Sequence, residues 1–415
     1  MTSAEIRQKF LDFFESKGHT IVPSSSLIPN DPSVLLTTAG MQQFKPYFLG
    51  EPSPWGPNVV SVQKCFRTSD IEEVGDERHL TFFEMLGNFS FDGYGKKEAI
   101  EYAHEFITSP DWMNLKIDYV SVFIGEGGVP ADEESVKIWQ TIDSNLEIKK
   151  FGRADNFWGP TGTEGPCGPT TEIYVNGIEI WNLVFNQYYQ KPDGSLEPLK
   201  LFGIDTGMGL ERLAMVVQTK SNIFETDLFA DLLPGIDARR DRIIADHARA
   251  VTFLLTVGVR PNNKGSGYIL RRLIRRLVFL AETIDVYNLL KLVISKYRIV
   301  YPEINESLVL SEFNKEQEVF SKSLVLGRRE LEKLGTLDIG GAFQLYETHG
   351  LPFEIMQEKF PNLSRDEFDK AFKKHQEISR AGVEKKFAGG LADNESATIK
   401  LHTAHHLLLA ALQQV

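Results

Sequence analysis

"VQKCFRTSDIEEVGDERHLTFFEMLGNFSF", residues 62–91, is the stretch on which the fold turns. A strand pattern ends at Arg67, a polar acidic loop follows, and a second strand pattern starts near Leu80. The segment reads as a hairpin with a long loop. Arg67 closes the first strand, Arg78 and His79 stand at the return of the loop, and Phe82 and Phe83 come next. One cation for a phosphate, a second at the loop exit and an aromatic face for a purine form a set able to hold ATP. The same aromatics suit an ordinary core, and at this point both readings stand.

A second stretch, "FGIDTGMGLERLAMVV" (202–217), leads from a strand to Asp205. Gly207 and Gly209 are expected to give close backbone approach and a turn, after which a helix opens with Glu211 and Arg212. An arginine in a first helical turn is unfavourable beside the positive end of the helix dipole, and a bound anion relieves this. Around these stretches, residues 1–236 mix short strand-like runs (VVSVQKCF, YVSVFIG, TEIYVNG, IEIWNLVFNQYYQ) with loops such as NFWGPTGTEGPCGPTT. Irregularly spaced strands with few helices predict an α+β domain on a mostly antiparallel sheet. From about Ile236 the apolar spacing becomes helical, and "KKFAGGLADNES" reads as a linker. The expected domains are 1–236, 237–390 and 391–415.

The chain has 415 residues, so two or three domains are expected. No apolar run approaches the roughly 20 residues that a membrane span needs. The N-terminal amphipathic pattern carries acids and is not a secretory signal. Two cysteines, Cys65 and Cys167, imply no disulfide framework and fit a reducing cytosol, so a cytoplasmic location is expected. Against a net charge of −12, the segment Arg239–Arg276 holds ten Lys/Arg and two acids. That pattern suits one polyanion docked in one place, or a solvated helical face.

The hairpin followed by a G-x-G-L-E-R helix resembles motifs 2 and 3 of class II aminoacyl-tRNA synthetases. "SSSLIPNDPSVLLTTAGMQQFKPYFLG", "HLTFFEMLGNFSF", "DNFW", "GPCGPTTEI", "IEIWNLVFNQY", "DTGMGLERL" and "GYILRRLIRR" are similar to the alanyl-tRNA synthetase family, and the likeness runs from Ile6 to the last residue. The resemblance implies a class II synthetase fold: a six- or seven-stranded antiparallel sheet flanked by helices, then an all-α tRNA-recognition domain. It implies activation of L-alanine by ATP and transfer to the 3′ end of tRNA(Ala).

By that resemblance Arg67 holds the α-phosphate and the substrate carboxylate. Arg78 or His79 reaches the γ-phosphate, and Phe83 stacks on adenine. Arg212 covers the other face of adenine and the γ-phosphate. Mg2+ bridges the phosphates with Glu172 as its carboxylate. Asp205 takes the alanine ammonium, and Trp158, Val184 and Gly207 form the methyl slot with Asn182 as a polar neighbour. A slot of that size rejects serine or glycine poorly, since one hydroxyl or methyl is worth about 1–3 kcal/mol, so a hydrolytic editing site is needed elsewhere.

Arg271, Arg272, Arg275 and Arg276, with Lys264, are implied to meet the acceptor-stem phosphates. The family reads a G·U pair with an Asn before the "GY-LRR" helix and an acid in the "LY-x-T-x-G-x-P" turn. Here these positions give Asn263 and Glu347, while Gly265 stands where Asn can occur. The loop "RTSDIEEVG" is shorter than some in the family and lacks their lysine-bearing insert. His402 and His406 resemble half of the Zn2+ site of an editing domain whose other ligands lie further on. The expectation is a monomeric activating and tRNA-docking part without a complete editing site. Two alternatives are an RNA-binding paralogue without activity and a ligase for serine or glycine.

Overall fold

The computed structural model describes residues 1–31, 33–232, 239–281, 284–372 and 374. The expected boundary at 236/237, the 391–415 segment, and with it His402 and His406, lie outside the described residues. The chain packs as two compact units, Met1–Gln317 and Glu318–Val415.

The first unit opens with helix α1 (Ser3–Ser16), started by a capping box between Thr2 and Glu5, with Ile6, Phe10, Phe13 and Phe14 on its buried face. There follow β1 (Thr20–Ile21), α2 (Lys45–Phe48), β2 (Asn58–Phe66), β3 (Phe82–Phe91), α3 (Lys96–Thr108), β4 (Tyr119–Phe123) and α4 (Glu133–Ile142). Next come β5 (Glu147–Phe151), α5 (Arg153–Asn156), β6 (Phe157–Trp158), β7 (Gly165–Val175), β8 (Ile178–Gln190), β9 (Leu196–Gly209) and α6 (Leu210–Val217).

The strands form one sheet in the order β1-β2-β3-β9-β8-β7-β4-β5, with β6 paired to β7. Its middle is antiparallel, as expected, but both margins are parallel pairs, β1 with β2 and β4 with β5. The sheet is therefore mixed and, among the described residues, has nine strands, more than the six or seven expected. Each marginal pair follows a connection long enough to carry a helix, α2 or α4, which is what parallel pairing requires.

Period-2 alternation divides each central strand between two faces. On β3, Leu86 joins the core under α1 and α3, whereas Met85 and Phe89 pack on the opposite face with Phe44 and Cys65. On β8 and β9, Leu183, Phe185, Ile204 and Met208 face the α1 and α3 side.

Helices α7 (Arg239–Thr256), α8 (Gly265–Leu280), α9 (Val286–Tyr297) and the first part of α10 (Glu306–Lys333) belong to the same unit. They share a core with Phe66, Leu80 and Phe82 of the hairpin. The Phe82 ring stacks on Phe253 of α7 at 3.9 Å between centroids and 9° between planes. Beneath this stack lies a buried charge cluster. Arg7 holds Glu84 through Nε at 3.0 Å and Nη2 at 2.8 Å, and the Tyr301 hydroxyl donates to Glu84 at 2.5 Å. Glu211 of α6 accepts the Glu84 amide at 3.1 Å and pairs with Arg249 of α7. Arg249 is fully buried among Phe82, Phe229 and Tyr297. Burial works against the Glu84 carboxylate, but Arg7, with Arg249 and the Tyr301 hydroxyl, outweighs it and Glu84 ends below its ordinary value. For Glu211 burial wins over Arg249, and its carboxyl is raised.

In the second unit α11 (Ile339–His349) and α12 (Phe353–Lys359) gather Phe343, Tyr346, Phe353 and Phe368. Helix α11 ends at Gly350, which sits at φ +66° with its amide on the Leu345 and Tyr346 carbonyls. The "LYETHGLP" stretch is thus the last turn of a helix and its cap, and Glu347 is exposed on that helix. No helix among the described residues is long and apolar enough to cross a membrane.

Replacing Arg249 by Met leaves the Glu211 carboxyl buried without its cation. We expect a loss of about 3–5 kcal/mol in urea unfolding; a loss below about 1 kcal/mol shows that the pair does not hold α6 to α7.

Candidate active site

The site is built on the sheet face turned away from α1 and α3. Strand register sets its side chains beside one another: Glu172 of β7 lies opposite Asn182 of β8, Asn182 opposite Gly207 of β9, and Val184 opposite Asp205. Met85 of β3 lies opposite Gly209. Because all of these positions alternate in phase, one face carries them all.

They line a cavity of about 300 Å³. Every nucleotide and amino-acid site residue expected from the sequence lines it: Arg67, Arg78, His79, Phe83, Glu172, Arg212, Trp158, Asn182, Val184, Asp205 and Gly207. The structure adds Met85, Asp70, Asp155, Glu179 and Glu211 to the lining. Alternation from Phe83 could have found Met85. Glu179 has no comparable signal, because a register irregularity between Ile173 and Tyr174 breaks the phase on the facing strand.

Two local expectations change. Gly207 and Gly209 do not form a turn; β9 runs straight through both and passes directly into α6 at Gly209. The ladder to β8 and β3 continues through Met208, so the backbone stays extended. Close approach does hold, since a Cβ at Gly207 would stand 3.0 Å from the Met85 sulfur. Likewise "GPCGPT" is not loop but the first half of β7. Its ladder to β8 is interrupted between Cys167 and Thr170, around Pro169, which has no amide hydrogen to give. At Gly168 a Cβ would fall 1.8 Å from the Phe185 carbonyl, so only glycine fits. That close passage lets β6 pair on β7, Trp158 opposite Gly168, and so carries the indole into the cavity.

The charged groups are held by specific partners. The Arg67 amide donates to the Thr81 carbonyl at 2.9 Å, and its guanidinium lies 5.0 Å from the Phe83 ring centroid. The Arg78 and His79 amides donate to Asp76 at 2.9 and 2.8 Å, shaping the loop return. Arg212 pairs with Glu179 at 2.8 Å. Glu172 accepts from Tyr174 at 2.7 Å, Ser121 at 3.2 Å and Asn182 at 3.3 Å. Burial, then the neighbouring charge of Glu179, push its carboxyl up to about 7. Burial pushes Asp205 up to about 7 as well. Trp158 Nε1 and Asn182 Oδ1 are buried with no hydrogen-bond partner among the described protein atoms.

The arginines expected to meet RNA lie elsewhere in the first unit. Arg271 and Arg275 of α8 pair with Glu316 at 3.5 and 2.7 Å, and Arg260 with Glu312 at 3.4 Å. Arg272 pairs with Glu72, and Arg276 donates to the Ile71 carbonyl at 2.8 Å. The basic segment is thus only partly a surface: Arg249 is core, and the α8 guanidiniums are already engaged within the fold. Asn263 and Lys264 are exposed just before α8, whose first residue, Gly265, sits at φ +54°.

A cavity lined by the guanidiniums of Arg67, Arg78 and Arg212, the Phe83 ring and buried carboxyls has the chemistry to hold a nucleotide beside a small charged molecule. The family model described as tRNA synthetases class II (A) matches residues 5–411, and the chain belongs to that family. Its relatives include the alanine–tRNA ligase of Borrelia hermsii, 43% identical over 99% of this chain and 78% of the relative. Those of Treponema pallidum (41%; 99% and 77%) and Treponema denticola (43%; 100% and 79%) are similar to the same extent. Within the class, this is the alanine–tRNA ligase branch.

The raised Asp205 pKa makes a stability prediction. In the ligand-free fold its neutral form is favoured, so its contribution is full below about pH 4 and is lost as pH rises through about 7. Asp205→Asn, which escapes this loss, should gain about 2–3 kcal/mol relative to the parent between pH 5 and pH 8 in urea unfolding. A pH-independent difference contradicts the burial argument.

Proposed function

We propose that this chain activates L-alanine with ATP and transfers it to tRNA(Ala) by docking the acceptor stem. The observation that carries the reading is that one cavity gathers all eleven nucleotide and amino-acid residues named from the sequence.

Activation needs no general base. An oxygen of the alanine carboxylate attacks the α-phosphorus of ATP, the bond to the β-phosphate oxygen breaks, and pyrophosphate leaves. A terminal ribose hydroxyl of tRNA then attacks the adenylate carbonyl and AMP departs. Catalysis of this kind is positioning together with neutralisation of phosphate charge. Arg67, at the base of the hairpin, serves the α-phosphate and the attacking carboxylate. Arg78 or His79 serves the γ-phosphate, and the adenine lies between Phe83 and Arg212. Class II synthetases use Mg2+ with ATP, which adds charge neutralisation at the phosphates. Glu172 and Asp155 are the carboxylates suited to it, since crowding of negative charge is part of what raises Glu172.

Asp205 takes the alanine ammonium, and Val184, Trp158 and Gly207 enclose the methyl. The unpartnered Trp158 Nε1 and Asn182 Oδ1 supply one donor and one acceptor for a zwitterion. For tRNA, the exposed Asn263 and Lys264 and the α8 arginines serve the acceptor stem. Glu347, in the second unit, serves as the acidic reader of the G·U pair.

Alanine-dependent pyrophosphate exchange tests the reading. Exchange should be lost in Arg67→Ala and should favour alanine over serine and glycine in kcat/KM; absence of exchange at millimolar alanine and ATP refutes it. The pH dependence is a sharper check. Alanine binding needs ionised Asp205, so kcat/KM for alanine should fall about tenfold per pH unit below about 7. A flat profile from pH 6 to 8 removes Asp205 from the ammonium site.

A further inference from the structure

The loop that returns the hairpin, from Arg67 to Thr81, carries five carboxylates (Asp70, Glu72, Glu73, Asp76 and Glu77) against two guanidiniums (Arg67 and Arg78). On this balance the loop is anionic, yet it borders the cavity assigned to a triphosphate. The structure shows what offsets it. Four arginines from the helical part reach the loop from behind. Arg239 donates to the Glu72 carbonyl at 3.0 Å, and Arg242 donates to the Gly75 carbonyl at 3.4 Å and lies 3.9 Å from Glu77. From α8, Arg272 pairs with Glu72, while Arg276 donates to the Ile71 carbonyl at 2.8 Å and lies 3.9 Å from Glu72. The base of the loop is fixed by Asp246 of α7, which accepts the Thr81 amide at 2.9 Å and hydroxyl at 2.6 Å.

We infer that Arg272 and Arg276 are positioning residues for the ATP-binding hairpin, acting through Glu72 and the Ile71 carbonyl. The inference rests on the reading of this hairpin as the ATP loop. Their effect has two parts. They add positive charge behind an acidic loop, lowering its repulsion of the triphosphate. They also hold the loop in the geometry that turns Arg67, Arg78 and His79 into the cavity. The helix whose arginines the sequence assigns to RNA therefore contributes to a half-reaction that uses no RNA.

The test is a double-mutant cycle in tRNA-free pyrophosphate exchange on the full chain, with ATP and alanine titrated separately. Arg272→Gln and Arg276→Gln should each raise KM for ATP about three- to tenfold and leave KM for alanine within about twofold. Arg272→Lys, which keeps the charge, should recover most of the loss. In a Glu72→Gln background, which balances the charge, Arg272→Gln should change KM for ATP less than about twofold. A general loosening of the fold would move both KM values and would not be rescued by lysine. Glu72 is 53% exposed, so its substitution leaves the core intact and keeps the cycle readable. The inference is overturned if both glutamine variants keep KM for ATP within about 1.5-fold of the parent. It is equally overturned if the Arg272→Gln effect is undiminished without Glu72. Persistence of exchange in Arg67→Ala would instead remove the ATP-site reading beneath it.

Discussion

Four buried or nearly buried charges, Arg7, Glu84, Glu211 and Arg249, join elements far apart in sequence. They tie the N-terminal helix, the second strand of the hairpin, the helix after β9 and the first helix of the basic segment to one another. Any one of these charges left alone in this interior would be strongly unfavourable, so the cluster forms as a set. Its consequence is positional. Glu211 precedes Arg212, and Glu84 follows Phe83. The two groups proposed to enclose adenine are each one residue from a charge locked in the core.

The sheet then does what a loop could not. Asn182, Val184, Asp205, Gly207 and Glu172 are placed by ladder register, so their spacing follows from strand geometry. Elements outside the main ladder enter where reach is needed: the hairpin return for Arg78 and His79, and the short strand β6 for Trp158. Burial raises the pKa values of both Asp205 and Glu172, and at Glu172 the neighbouring charge of Glu179 adds to it.

Much of this was legible in advance. The strand closing at Arg67, the strand leading to Asp205 and the helix that carries Glu211 and Arg212 are local patterns, and each was readable from alternation and helix periodicity. That two segments more than a hundred residues apart share one cavity came from the family resemblance, because pairing across the sheet leaves no local trace. What failed to show had physical causes. Glycine and proline normally signal loops, yet Gly168 is required inside β7 by a backbone contact that no sequence window reveals. A G-x-G pair looks like a turn, but here it thins an extended strand beside Met85. The basic run suited a docked polyanion or a solvated helical face, and charge counts do not reveal that Arg249 points inward or that Arg272 meets an acid 200 residues earlier.

Gly265, at the start of the α8 helix, sits at φ +54°, and a Cβ added there would meet only the end of the Leu35 side chain, at 3.6 Å. That left-handed conformation is open to glycine and, among side-chain-bearing residues, most readily to asparagine or aspartate. An exchange of glycine for asparagine here alters the chemistry shown to an incoming ligand while the backbone path stays as it is. Position 265 is in this sense an interchangeable socket: the fold specifies its shape, and evolution can change the fitting without rebuilding the helix behind it.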